Sequence, residues 1–172
     1  MTALPVLQTK RLTLRPPNGD DVPAMLRFFQ SDRSRFYRGP LDEGDAWRVF
    51  AAYAGQWALR GYGFFAITET RTGETLGLAG PFHPQDFPEP EMSWLLTDAA
   101  YEGQGFAQEA CHAVLEHIFE TKEWPSVVSY IDPQNHGSRA LALRLGAKLD
   151  PDTNVPMPGC EAYRHEHGAL MQ

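Results

Sequence analysis

The chain is poor in cysteine, in positive charge and in long apolar runs, and each shortage removes a class of protein. Only two of its 172 residues are cysteines, Cys111 and Cys160, too few for a disulfide framework. Fifteen Lys and Arg stand against 22 Asp and Glu, a formal net charge of −7, so the basic footprint of a nucleic-acid binder is missing. No apolar run approaches the roughly 20 residues of a membrane helix, and no charged-then-apolar N-terminal segment reads as a signal peptide. Internal repeats, low-complexity tracts and linkers are also absent. These absences set the expectations: residues 1–172 as one domain in the reducing cytoplasm, with no nucleic-acid or membrane partner.

What the sequence has is an ordinary supply of core residues, 42% hydrophobic with ten Phe and four Trp. At this length roughly 70% of the unfolded surface can be buried without staples. Residues 10–15 alternate charged and apolar, which predicts a first strand. Asp20 and Asp21 offer an N-cap to a helix carrying Met25, Leu26, Phe28 and Phe29, with Pro23 tolerated in its first turn. A second helix is expected from Asp42, its apolar face formed by Trp47, Phe50, Ala54 and Trp57. Residues 64–68 and 75–79 read as a hairpin, 81–90 as a proline-rich loop, and 92–97 as a short apolar strand. The clearest helix follows Gly105, with the stripe Ala107, Ala110, Cys111, Val114, Leu115, Ile118 and Phe119. Residues 127–131 read as a buried strand, 138–145 as a short helix ended by Gly146, and 147–149 and 161–165 as two last strands. The order is mixed α/β with a βαβ-like unit in its second half.

The segment joining strand 92–97 to the long helix contains Tyr101-Glu-Gly-Gln-Gly-Phe-Ala-Gln-Glu-Ala. Gly103 and Gly105 let the backbone approach a ligand closely. The helix start presents unpaired N–H groups and a partial positive charge, so the turn suits a pyrophosphate without a lysine. A dinucleotide fingerprint would need a third glycine where Gln108 stands, and an NTPase loop would need Gly-Lys-Ser/Thr. Without any ligand the segment is a tight turn before an ordinary helix.

Together with this segment, Leu12-Thr-Leu-Arg-Pro, residues 67–77 and 91–96, Asn135-His-Gly-Ser138, Leu145-Gly-Ala and Tyr163-Arg-His resemble, in order and spacing, the GNAT superfamily of N-acetyltransferases. By pattern the chain is similar to the RimJ- and RimL-like branch, over nearly its whole length. The resemblance implies a mixed α/β (α+β) fold: a twisted, mostly antiparallel sheet with a V-shaped splay between two central strands, 92–97 and 127–131, flanked by about four helices. It implies acetyl-CoA as acetyl donor, with the backbone of Gly103, Gln104, Gly105, Phe106, Ala107 and Gln108 on the pyrophosphate. Leu95, Leu96 and Thr97 would follow the pantetheine arm, an N–H near Leu95 polarising the thioester carbonyl.

By the same resemblance Asn135 contacts that arm or orders water, and Ser138 protonates the departing thiolate. Helix capping accounts for both residues without either role. Glu91 stands where relatives carry a glutamate and is either the base for the amine or a solvated strand-end carboxylate. Trp94 walls the acceptor pocket or fills the core. Two departures stand out. Glu102 replaces the Gln or Arg common at the first motif position, and Ala142 occupies the place of a tyrosine acid found in many relatives.

The implied acceptor is a primary amine, a protein N-terminus or a small molecule, attacking directly in a ternary complex; no activated Ser or Cys nucleophile is visible. Helices one and two and loop 81–90 would enclose it, with Trp47, Trp57 and Phe87 lining the pocket or filling the core. The rival from another class is a catalytically weak acyl-CoA-binding sensor of the same fold, favoured by Ala142 and Glu102. A nicotinamide oxidoreductase is a distant third. No metal is expected: His165 and His167 share a strand face, but acidic ligands at useful spacing are missing. His112 and His117 fall on the polar side of the long helix, and His83 and His136 flank the proposed site. Exposed edge strands in such a sheet leave a homodimer open.

Overall fold

The apolar segments become eight strands of one sheet in the computed structural model, which describes residues 4–170. These are β1 (Leu7–Gln8), β2 (Leu12–Arg15), β3 (Phe65–Glu69), β4 (Thr75–Phe82), β5 (Glu91–Leu96), β6 (Ser126–Ile131), β7 (Lys148–Leu149) and β8 (Glu161–Glu166), in the order 1-2-3-4-5-6-8-7. Every neighbouring pair is antiparallel except β5 and β6, which run parallel and share the single backbone bridge Glu91↔Val128. Past that bridge they form no ladder, which is the expected splay. A parallel pair needs a crossover, and helix α3 (Phe106–Glu120) provides it.

Pleating sends alternate side chains to opposite faces. Ala66, Leu78 and Leu95 meet Met25, Phe28 and Phe29 of α1 (Val22–Phe29) and Ala46 and Phe50 of α2 (Glu43–Arg60). Ile67, Ala79, Met92 and Trp94 face Val114, Leu115 and Ile118 of α3 on the other side. A third apolar group, Phe87, Val128, Tyr130 and Ala162, lies beyond the splay. Helices α4 (His136–Arg144) and α5 (His167–Leu170) complete the chain.

Some local expectations hold and others change. Asp42 caps α2 by accepting from the Asp45 amide at 2.8 Å, and Gly61 ends it at φ 71°. The buried stripe of α2 is Ala46, Phe50 and Trp57, whereas Trp47 sits one position round the helix and is 55% exposed. Trp47 therefore fills no core. Asp21 is not a side-chain cap of α1; its carboxylate is spent elsewhere, on Arg15, Asn18 and Thr75. The loop after β4 begins after Phe82, because Pro81 remains in the strand. Pro81 lies past the end of β3, which starts at Phe65 opposite Ala79, so no ladder partner misses its N–H. Its carbonyl accepts instead from the buried Gln56 amide at 2.9 Å.

Candidate active site

The splay has one edge of β5 facing a gap, and three side chains from two elements, β6 and the 3₁₀ turn Asp32–Tyr37, tie down the carbonyls along it. Ser129 on β6 donates its hydroxyl to the Met92 carbonyl at 2.5 Å, Tyr37 donates to Trp94, and Arg33 donates to Leu96 at 3.1 Å. Backbone groups of alternate residues point to alternate edges of a strand. Met92, Trp94 and Leu96 therefore address the gap, while Ser93 and Leu95 address β4. The Leu95 carbonyl lies so near β4 that a Cβ on Gly77 would sit 2.0 Å from it. Thr97 donates its N–H back to Leu76 at 2.9 Å.

The turn before α3 holds Gly103 at φ 70° and Gly105 at φ 81°, conformations that favour glycine. A Cβ on Gly103 would meet nothing within 4 Å, so the backbone there is open to approach. Gly105 is the N-cap residue of α3 and brings no side-chain cap. Phe106, Ala107 and Gln108 fill the first turn, whose N–H groups have no intrahelical acceptor. Arg11 adds positive charge: its guanidinium lies over the Phe106 ring at 4.3 Å and donates to the Gln104 carbonyl at 2.9 Å. Glu109 balances it at 2.7 Å. An uncapped helix start, two glycines at positive φ and an adjacent guanidinium fit a pyrophosphate. Glu102 turns its carboxylate onto Arg33 at 2.6 Å, so it is neutralised by a partner.

Above the gap, on the α2 side, lies a cavity of about 620 Å³ whose lining includes Glu91, Ser93, Ser129, Asn135 and Ser138. The structure thus brings Glu91, Asn135 and Ser138 to one cavity, whose lining does not include the Gly103–Gly105 turn. Glu91 is buried, not solvated. Burial pushes its carboxyl up to about 8, the backbone amide of Tyr130 working in the opposite direction. Asn135 caps α4, accepting from the Ser138 amide at 3.2 Å. Ala142 is fully buried in the α3-side core. Trp94 also packs into that core, its ring edge-on to His165 at 6.3 Å. Phe87 lines the cavity, whereas Trp57 belongs to the core.

Sequence reasoning missed Tyr37, Ser129 and His165 as neighbours of the gap. His165 is 1% exposed and its Nε2 contacts the Ser129 hydroxyl at 2.9 Å. Because that hydroxyl donates to Met92, Nε2 carries the proton, and Nδ1 is left without a partner. Desolvation holds the ring down to about 4, and the neighbouring Arg164 adds to this, so it stays neutral. His167 begins α5 and pairs with Glu120 at 2.6 Å. Among the described residues no three His, Cys, Asp or Glu gather to hold a metal ion. His117 is half-buried beside Phe65, so only His112 of that pair is solvated. His83 turns to Tyr62 at 2.9 Å, and His136 is exposed at the start of α4. Cys111 is buried, and burial pushes its thiol up. No helix among the described residues is long and apolar enough to cross a membrane.

Residues 11–148 match the acetyltransferase (GNAT) domain family. The solved acetyltransferase of Agrobacterium tumefaciens is 40% identical, superposes with a TM-score of 0.90, and the match covers 97% of each chain. Protein YkkB of Bacillus subtilis is 29% identical over 152 residues, 85% of this chain and 87% of its own. An aminoglycoside acetyltransferase solved with coenzyme A shares the fold at a TM-score of 0.75 and 16% identity, covering 93% of this chain and 97% of its own.

Proposed function

The chain belongs to the GNAT family of acetyltransferases, and from that premise we propose that it moves the acetyl group of acetyl-CoA to a primary amine by direct attack in a ternary complex. The observation that carries this reading is Glu91, a buried carboxyl in the cavity wall at the one bridge between β5 and β6. Acetyl-CoA supplies an activated acyl group when bound. The amides of the first turn of α3 and the turn 103–105 hold its pyrophosphate, and the open edge of β5 lines its arm. On that edge Trp94 and Leu96 present their amides to the gap, flanking Leu95, and one of them polarises the acyl carbonyl.

The chemistry needs two proton movements. The ammonium form of the acceptor gives one proton to Glu91. The nitrogen then forms the C–N bond as the C–S bond breaks, and its second proton goes to the departing thiolate by way of the Ser138 hydroxyl. No tyrosine stands at 142 to do this, and the loss is tolerable. One proton donor is worth about 10²–10⁴ in rate, while positioning two reactants supplies roughly 7–11 kcal/mol.

The acceptor is a protein N-terminus, as in the RimJ- and RimL-like branch, or a small amine. We assign the whole chain to one domain, and its two free thiols suit a reducing cytoplasm. Calorimetric titration of the purified chain with acetyl-CoA, CoA and NAD tests the donor, with micromolar acetyl-CoA binding and silent NAD expected. No binding to either form of CoA overturns the reading. Ser138→Ala then separates enzyme from sensor: turnover should fall at least tenfold with the acetyl-CoA Kd unchanged.

A further inference from the structure

The cavity beside Glu91 also restricts what kind of amine it admits, an inference that rests on the acetyl-transfer reading above. Its walls are rings that hold one another. Tyr53 meets Phe82 at 4.9 Å, Phe82 meets Phe87 at 5.8 Å, and Phe87 meets Tyr130 at 5.8 Å, all edge to face. Such a box is formed before any ligand arrives, so little ordering is left for binding to accomplish.

The charged lining is nearly balanced. Arg35, Arg38 and Arg48 stand against Asp45, Asp86 and Asp132, all of them exposed. Asp45 is already bonded to Arg48 at 2.7 Å, and Arg35 lies over Phe36 at 4.7 Å. Glu91 alone among the lining carboxylates is buried. The further ammonium groups of a polyamine would find no surplus of negative charge there, since the three aspartates are matched by three guanidiniums. An extended peptide would seek a free strand edge. Here β5 is paired with β4 on one side, and on the other, the edge assigned above to the acetyl-CoA arm, its Met92 and Trp94 carbonyls already accept from Ser129 and Tyr37.

We propose that the acceptor is a compact monoamine with an apolar, aromatic body, its ring against the wall formed by Phe82, Phe87 and Tyr130 and its nitrogen at Glu91. The test measures thiol release from acetyl-CoA by the full chain, with phenethylamine, spermidine and a serine-initiated tripeptide as acceptors. The kcat/KM for phenethylamine should exceed both others by at least tenfold. Phe87→Ala should raise its KM tenfold while leaving the acetyl-CoA Kd unchanged, and Phe87→Leu should fall between. Equal or better use of spermidine or the peptide overturns the proposal, as does acetyl-CoA binding with no transfer to phenethylamine. Either result leaves the acetyl-CoA donor standing. Absence of acetyl-CoA binding removes the acetyl-transfer reading, and this proposal with it.

Discussion

Glu91 is a carboxyl whose proton affinity is set by where the chain buries it. With its carboxyl near 8, it is a competent base only as pH rises through that value. The pH–rate profile of acetyl transfer should therefore rise along a limb near 8. Glu91→Gln should abolish the limb and lower kcat by about 10²–10⁴, and a profile unchanged by the substitution would remove Glu91 from the reaction. Stability should move the opposite way with pH. Below the ordinary value of 4.5 the group is protonated folded or unfolded. Between there and about 8 the unfolded chain releases a proton that the folded chain keeps, so stability declines as pH rises. Glu91→Gln should match the parent near pH 4 and exceed it at pH 9 by up to about 5 kcal/mol, read from denaturant midpoints.

Elements are joined by side chains as well as by ladders, and Asp21 shows how. Its fully buried carboxylate accepts from both Nη atoms of Arg15 on β2 at 2.8 and 2.9 Å and from Thr75 on β4 at 2.6 Å, with the Asn18 amide at 2.8 Å. It thus clamps two strands that have β3 between them. Burial pushes this carboxyl up, but Arg15, Thr75 and Asn18 together hold it below the usual range. The clamp is therefore intact above that range and is lost as pH falls through the depressed value. Asp21→Asn leaves Arg15 facing a neutral partner and should cost about 3–5 kcal/mol. Thermal unfolding at pH 7 checks this, and a change under 1 kcal/mol would show that the clamp is dispensable. The expectation of a side-chain cap on α1 at Asp21 failed because its carboxylate is turned back onto the Asn18 amide and Arg15 and across to Thr75 on β4, the last of which local sequence does not display.

At the scale of the molecule, the two cores lie on opposite faces of one sheet, and the proposed donor and acceptor sites flank the place where β5 and β6 part. A ligand that bridges the gap binds only the folded chain. Acetyl-CoA at a hundredfold its Kd should stabilise the protein by about 2.7 kcal/mol, which for a chain of this size is a rise in Tm of roughly 5–10 °C. Differential scanning fluorimetry reads it directly, and an unchanged Tm would mean that the splay and the glycine turn do not form a donor site.

The periodic segments were legible from the sequence alone. The stripe from Ala110 to Phe119 fixed α3, apolar runs fixed the central strands, and the glycines before α3 marked the turn, because period and backbone freedom are local properties. The family followed from the order of such pieces. The surroundings of Glu91 were not legible: following Pro88-Glu-Pro it reads equally well as solvated, and only the packing of β6 and the aromatic wall buries it. Tyr37 reaches Trp94 across 57 positions, and Ser129 reaches Met92 across 37. Tyr37 comes from a 3₁₀ turn, Asp32–Tyr37, too short to show a period. Contacts between residues that far apart exist only once the sheet has formed. Sequence therefore determined the scaffold and the glycine turn before α3, while tertiary structure decided the proton affinity of Glu91 and the shape of the cavity beside it, since desolvation and enclosure depend on what the rest of the chain packs around them.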